Sequence, residues 1–568
     1  MNRHANPREP ALPQTGVCFS TPDEKLQSLF DAAEQKEAKN IVQFSPTMKL
    51  LVEGAQYHNC WIETQPMGGE MYAKRNLSVA LNNQVIFLLT QRRDGRLPGM
   101  ITSTARTSDS VRQAKPDAEQ AWNAGTMWWP ELQVSASYGW FQGFCFPDPA
   151  WRMYFWIGKD KAYLQKLYEA LAAHDAYLWR TRDSDGDGVL ESWCTWDTAE
   201  DMSTRYGTRN APTMWPFDSP PGSVNTPDPQ NPADFAKNWV EHTWKKLPAF
   251  PREQILVPFA SMDIMAYSYD ARATLAKISR ELGNEKEDFW QKQAEEVRER
   301  LAGRLWNPDR HACFDRDRTG KPLDELIHNN IRAMYHGVFS QQMADEFIEH
   351  HMLNPEEFWT PFPLPSIAIH EPLFQNDVEN NWSGQPQGLT YQRAIRALEN
   401  YGYYAIVTQL GQKLIEAVER GGNRFTQQFD PRTGLPSSPK QDGYGLTMLA
   451  VLEYISRMYG VHVDPVAGRV WWSACDGKEF TYTQRWGDCE WALSAAKGRM
   501  TARRNGRELW DCTAGVRVVT DLEGKGIEVV GIAPAPQSIV LGIAREHHEL
   551  TVSPSQVIPV PLLLAAGH

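Results

Sequence analysis

The sequence predicts a mainly α-helical chain that ends in a small antiparallel β-domain. Three observations carry that reading. Apolar residues recur with helical spacing through the first four-fifths of the 568 residues. The connections between those stretches are long and rich in Trp, Pro and Gly. Near His462 the texture changes to short β-rich runs.

Taken in order, Leu164, Leu167, Tyr168 and Leu171 recur at i, i+3, i+4 and i+7, the stripe of a helix that faces a core. Phe259–Leu282 and Phe289–Leu305 repeat the pattern, the first ended by Gly283. Leu389–Glu419 reads as a helical pair broken around Gly402 and Gly411, with Ile395 and Leu398 facing inward. Pro216–Pro251 contains eight prolines and cannot be one regular element; loops of that length in compact domains commonly serve as lids or binding rims. From Arg469 onward, Val516–Thr520, Ile527–Ile532 and Ser538–Ile543 read as strands, and Asn505-Gly506 as a hairpin turn. The expected division is a helical domain over 1–462 and a β-domain over 463–568.

A formal charge of −12 argues against nucleic acid as partner, because phosphate binding wants a basic face. The 22 tryptophans and 11% aromatic residues suit a cleft for neutral polar ligands with apolar faces, sugars above all. The eight cysteines form no C-x-x-C pair, so a reduced, buried set is expected. Residues 1–14 lack the apolar region of a secretory signal, and no apolar run approaches ~18 residues. The expectation is a cytoplasmic protein without membrane partners.

The segment 183–206 carries the densest chemistry. Asp183, Asp185 and Asp187 alternate as in the first half of a calcium loop, with Gly188 for the turn. Val189 would add a carbonyl and Glu191 a carboxylate, while Cys194 stands where the closing bidentate Glu belongs. A structural Ca²⁺ is expected there, an acidic turn being the plainer alternative. The segment closes on Glu200-Asp201-Met202-Ser203-Thr204-Arg205-Tyr206, a carboxylate pair beside an arginine and an aromatic ring.

Several segments together resemble trehalases and family-63 glycoside hydrolases. Glu200–Tyr206 resembles their G-x-D-x-S-x-R-aromatic segment, in which the Asp is the general acid. Asp94-Gly95-Arg96-Leu97-Pro98-Gly99, Asn381–Gly388 with Asn400-Tyr401-Gly402, Phe425–Pro431 and Gln441–Gly445 look like further motifs of the family, in family order from about residue 70 to 460. The resemblance implies an (α/α)6 barrel and inverting hydrolysis of an α-linked di- or oligosaccharide or a small α-glycoside. That chemistry needs an acid and a base ~6.5–9.5 Å apart on opposite faces of the sugar. Asp201 takes the acid role by position, and Arg205, Trp382 and Gln387 would shape the subsite.

Two departures stand out. Gln427 occupies the place of the family's catalytic base Glu, and a carboxamide cannot take a proton from water. Three explanations are open: a Gln substituted for a natural Glu, a base drawn from elsewhere with Glu379 the best candidate, or sugar binding without hydrolysis. At Tyr72–Asn76 the family has a Trp-Asp pair; Arg75 and Asn76 would favour an anionic or decorated sugar. Trp128, Trp129, Trp140 and Trp215 are candidate stacking platforms. A sugar epimerase or polysaccharide lyase on the same barrel would need a poised His or Tyr, and His58, His174 and His370 show no motif for it.

Overall fold

The computed structural model describes residues 12–113, 126–207, 256–378, 380–437, 441–543 and 546–560. Trp215, Glu379 and the Pro216–Pro251 stretch lie outside the described residues.

Helices of the body pack side by side. Lys161–Thr181 begins at Asp160, whose carboxylate accepts from the N–H of Ala162 and Tyr163. It packs on Met262–Leu282, which packs on Glu287–Arg304. Met262–Leu282 ends at Gly283 in the left-handed region, φ 70°. Gly388–Glu399 runs between Asn329–Tyr335 and Gly445–Met458.

The expected helical pair is Gly388–Glu399 and Tyr404–Arg420, broken at Gly402 with φ 79°. Gly411 does not break it. It lies inside the second helix, where a Cβ would stand 2.6 Å from Met458 Sδ and 2.8 Å from Tyr454 Cδ1. The glycine permits close helix packing at the cost of helix propensity.

Two antiparallel sheets complete the fold. Tyr459–Asp464, Arg469–Ala474, Val516–Asp521, Glu528–Gly531 and Val557–Pro559 form one. The other orders Thr15–Ser20, Phe480–Trp486, Cys489–Ala496, Arg499–Arg504, Arg507–Thr513, Gln537–Ile543 and Glu546–Val552. Thr15 pairs with Trp486 and Ser20 with Thr481, so this sheet takes its first edge from the chain's N-terminal part. Asn505 and Gly506, at φ 48° and 76°, turn the hairpin between Arg504 and Arg507.

One hydrophobic core runs from the helices into the sheets, with Trp156, Trp472, Trp491 and Trp510 fully enclosed. Buried charges cross the same junction. Glu453 meets Lys74 at 2.7 Å and Arg457 at 2.5 Å, and Arg457 also reaches Glu399 at 2.7 Å. The cysteines are all free thiols; Cys18 is exposed, Cys489 half-buried and the other six buried. No helix among the described residues is long and apolar enough to cross a membrane.

Candidate active site

Asp201 lies on an irregular stretch between two single turns of 3₁₀ helix, Thr195–Asp197 and Thr204–Tyr206. Ala199 and Met202 flank the carboxylate pair at φ 55° and 60°, a costly conformation for residues with a Cβ that concentrates at functional sites. The surroundings hold it in place. Asp197 accepts from the N–H of Phe141 and Trp193, and Ser383 Oγ–H donates to the carbonyl of Met202.

This backbone turns the two acids in opposite directions. Glu200 points into the body and accepts from Arg205 at 2.7 Å, Thr198 at 2.7 Å and Asn329 at 3.1 Å, with His328 Nε2 also at 3.1 Å. Burial works to raise its pKa, but the Arg205 and Arg332 charges and the His328 bond hold it well below the carboxylate range. Arg205 extends the cluster to Asp263 at 2.7 Å and Asp315 at 2.6 Å. It is therefore a buried structural hub behind the site, not the subsite contact expected of it.

Asp201 points into a cavity of about 290 Å³, near the lower limit for small-ligand pockets. Its oxygens accept from Trp196 Nε1–H and Asn380 Nδ2–H, both at 2.5 Å. Burial raises its pKa against these two bonds. The wall carries the aromatic rings of Tyr57, Trp61, Trp140, Trp196, Trp382 and Tyr444 and the amides of Gln142, Asn380 and Gln427. Flat apolar faces beside scattered amides suit a sugar ring, which has both kinds of surface.

Gln427 shares this cavity. Its Nε2–H donates to Asn380 Oδ1 at 2.6 Å, and its Oε1 accepts from the Tyr57 hydroxyl at 2.8 Å. Asn380 thus bridges Asp201 and Gln427, whose polar atoms lie no more than ~7.5 Å apart across one amide group. Trp382 Nε1–H donates to the same Asn380 oxygen at 3.1 Å.

Other expected contacts fall elsewhere. Arg75 is buried between Glu34, at 2.6 Å, and Glu453, at 3.8 Å, because an enclosed guanidinium needs carboxylate partners. Asn76 caps the helix Leu77–Leu89 by accepting from Val79 N–H. Trp128 and Trp129 stand on the edge strand Thr126–Trp129 outside the cavity wall, Trp129 donating to Tyr138. Gln387 is buried and turns its amide toward the Asn381 carbonyl. These positions correct the expectation that all of them line the sugar site. Trp140 and Trp382 line the cavity.

The sequence reading missed Glu53, Glu63, Tyr57 and Asn380. Burial pushes Glu63 up to about 7 against the opposing charges of Arg393 and Arg332. Its signal was an acid directly after two apolar residues, Trp61-Ile62-Glu63. Glu53 ends the apolar run Leu50-Leu51-Val52, where a charged side chain is out of pattern.

Away from the cavity, the carboxylate oxygens of Asp183, Asp185 and Asp187 lie within 4.8 Å of one another. Each also accepts a backbone N–H of the loop, from Gly188, Asp187 and Val189 respectively. Burial and the two neighbouring aspartates raise the pKa of Asp183. Such converging hard oxygens fit a Ca²⁺ ion. Glu191 accepts from Ser184 Oγ–H at 2.7 Å and Trp193 Nε1–H at 2.9 Å, and the carboxylates whose oxygens converge are those of the three aspartates. The side chain of Val189 is buried.

A family model, the mannosylglycerate hydrolase MGH1-like glycoside hydrolase domain, matches residues 62–447. A curated mannosylglycerate hydrolase from Rubrobacter radiotolerans is 23% identical over 292 residues, which is 48% of this chain and 64% of that protein. The chain thus matches just under two thirds of that relative's length. A family-63 mannosylglycerate hydrolase from Thermus thermophilus, solved with glucose, superposes with a TM-score of 0.55 at 17% identity, over 75% of this chain and 99% of that one. The neutral trehalase of Saccharomyces cerevisiae gives 0.50 at 11% identity, over 75% and 80% of the two chains. Both structural likenesses are of fold.

Proposed function

Because the chain belongs to the family of the MGH1-like glycoside hydrolase domain, we propose that it is a glycosidase built on an (α/α)6 barrel. Its substrate would be an α-linked di- or oligosaccharide or a small α-glycoside, cleaved with inversion. The observation that carries this reading is the Asp201–Asn380–Gln427 bridge inside an aromatic-walled cavity. It puts position 427 in the same cavity as Asp201 with one amide between them, within ~7.5 Å, where an inverting pair uses ~6.5–9.5 Å. Asp201 is the general acid. Burial raises its pKa, the direction that a general acid needs. Trp140, Trp196 and Trp382 frame the sugar ring.

Arg75 no longer argues for an anionic sugar. Among the described residues that line the cavity there is no Lys or Arg to pair with a carboxylate-bearing ring. A neutral sugar is the better fit. Asp183, Asp185 and Asp187 would hold a Ca²⁺ that braces the segment leading into Asp201, a structural role outside the chemical step.

Turnover of a panel of neutral α-glycosides by the chain and by Asp201→Asn tests the reading. The substitution is expected to lower kcat/KM by ~10²–10⁴; equal activity in the two proteins rejects Asp201 as acid. The amide at position 427 supports a second reading, a sugar-binding protein without hydrolysis. Saturable binding of a sugar with no turnover of any panel member would favour it.

A further inference from the structure

We propose that Glu53 supplies the general base that position 427 lacks; this rests on the glycosidase reading above. The chain's own geometry brings the two residues together. The Glu53 carbonyl accepts from Gly445 N–H, next to Tyr444 in the cavity wall. Gly54 forms bridges with both Tyr57 and Tyr444. The Tyr57 hydroxyl donates to Gln427 Oε1 at 2.8 Å. Glu53, Tyr57, Tyr444 and Gln427 therefore share one wall of the cavity.

Among the described residues, Glu53 is also the cavity carboxyl best placed to change its charge. Glu63 accepts from Arg393 at 3.1 Å in a buried ion pair, and protonating it would strand that guanidinium. Glu53 makes no contact ion pair among the described residues, Arg393 acting on it from further away; its Oε1 meets the Thr64 hydroxyl at 2.7 Å.

That hydroxyl is shared with a second acceptor. Thr64 Oγ1 lies 2.7 Å from Glu53 Oε1 and 2.7 Å from Gln65 Oε1. A hydroxyl has one hydrogen to donate. Trp61 N–H points at Gln65 Oε1, which fixes that atom as an acceptor. Thr64 therefore donates to Glu53 Oε1 or to Gln65 Oε1, one at a time, and an ionised Glu53 has a hydroxyl donor within reach.

In the reaction the Glu53 carboxylate takes a proton from water as the water oxygen bonds to the anomeric carbon. The glycosidic C–O bond breaks, its electron pair passes to the leaving oxygen, and Asp201 gives that oxygen a proton. One water is consumed, and proton exchange with solvent resets the two carboxyls.

The pH dependence follows. Burial and the Glu63 charge push Glu53 up to about 8, against the Thr64 bond and with a further push from Asp201. The charged and titratable groups around it are Glu63, Asp201, Arg393, Tyr57, Tyr444 and Cys60. A base of this kind ionises as pH rises through about 8, so the acid limb of kcat/KM is expected there. At neutral pH only a minority of molecules carry the ionised base.

The test uses the full chain and an aryl α-glycoside that it turns over. Glu53→Gln is expected to lower kcat/KM by ~10²–10⁴. Adding Gln427→Glu to that variant should restore turnover, with the acid limb moved down toward the ordinary Glu range. Azide should rescue Glu53→Gln and yield a glycosyl azide of inverted configuration. Near-normal activity of Glu53→Gln overturns the proposal. So does a loss that neither Gln427→Glu nor azide repairs, or a comparable loss in Glu379→Gln while Glu53→Gln stays active. If the chain is inactive but Gln427→Glu hydrolyses glycosides, Glu53 is not the base and the chain is a glycosidase site disabled at position 427. If neither protein hydrolyses any glycoside, the glycosidase reading fails as well.

Discussion

At Asp201, burial and hydrogen bonding pull in opposite directions. Burial favours the neutral acid, while the N–H groups of Trp196 and Asn380 favour the carboxylate. Removing one donor therefore moves the pKa upward. Asn380→Ala is expected to shift the alkaline limb of kcat/KM to higher pH, because Asp201 then keeps its proton longer. A pH–rate profile checks this, and a downward shift would contradict the assignment. Asp201 itself was legible in the sequence because the acid, the serine, the arginine and the aromatic ring follow one another in a single segment. Arg205 was legible as part of that segment but not in its role, since two of the acids that meet it, Asp263 and Asp315, come from distant parts of the chain. Asn380 escaped notice because its importance arises only when the chain brings residues 201 and 427 to its two sides.

At the scale of elements, local rules predicted what local interactions decide. Periodicity located the helices, and Asn505-Gly506 located a hairpin whose two residues both need positive φ. Gly411 was misread because a glycine looks the same in sequence whether it ends a helix or lets two helices touch. Gly411→Val places a branched side chain against Tyr454 and Met458 and is expected to cost about 1–3 kcal/mol. Urea unfolding measures it. The Asp183–Asp187 turn gives a second prediction: Ca²⁺ should raise the unfolding temperature relative to chelator, and Asp185→Asn should remove that difference. An equal response of the two proteins would make the loop an acidic turn and nothing more.

The molecule as a whole is fastened by charge as well as by its core. Glu453 is enclosed between Lys74 and Arg457 where the helices meet the sheets. Burial opposes its ionisation, but the Lys74, Arg457 and Arg75 charges prevail and hold it down to about 2. A folded pKa below the unfolded value means the contribution is complete above about 4.5 and is lost as pH falls toward about 2. Glu453→Gln is expected to cost about 3–5 kcal/mol at neutral pH, because it leaves buried cations short of charge, and to flatten the acid-side loss of stability. The joining of the chain's N-terminal part to the late sheet through Thr15–Ser20 was illegible in sequence, since that pairing spans more than four hundred positions and six residues carry no signal of so distant a partner. The central claim is an inverting glycosidase with Asp201 as its acid. Proton NMR of the first product from a cleaved α-glycoside tests it most directly: the account requires the β-anomer to appear first and to fade with Asp201→Asn. The α-anomer appearing first, or unchanged formation of product by Asp201→Asn, would contradict it.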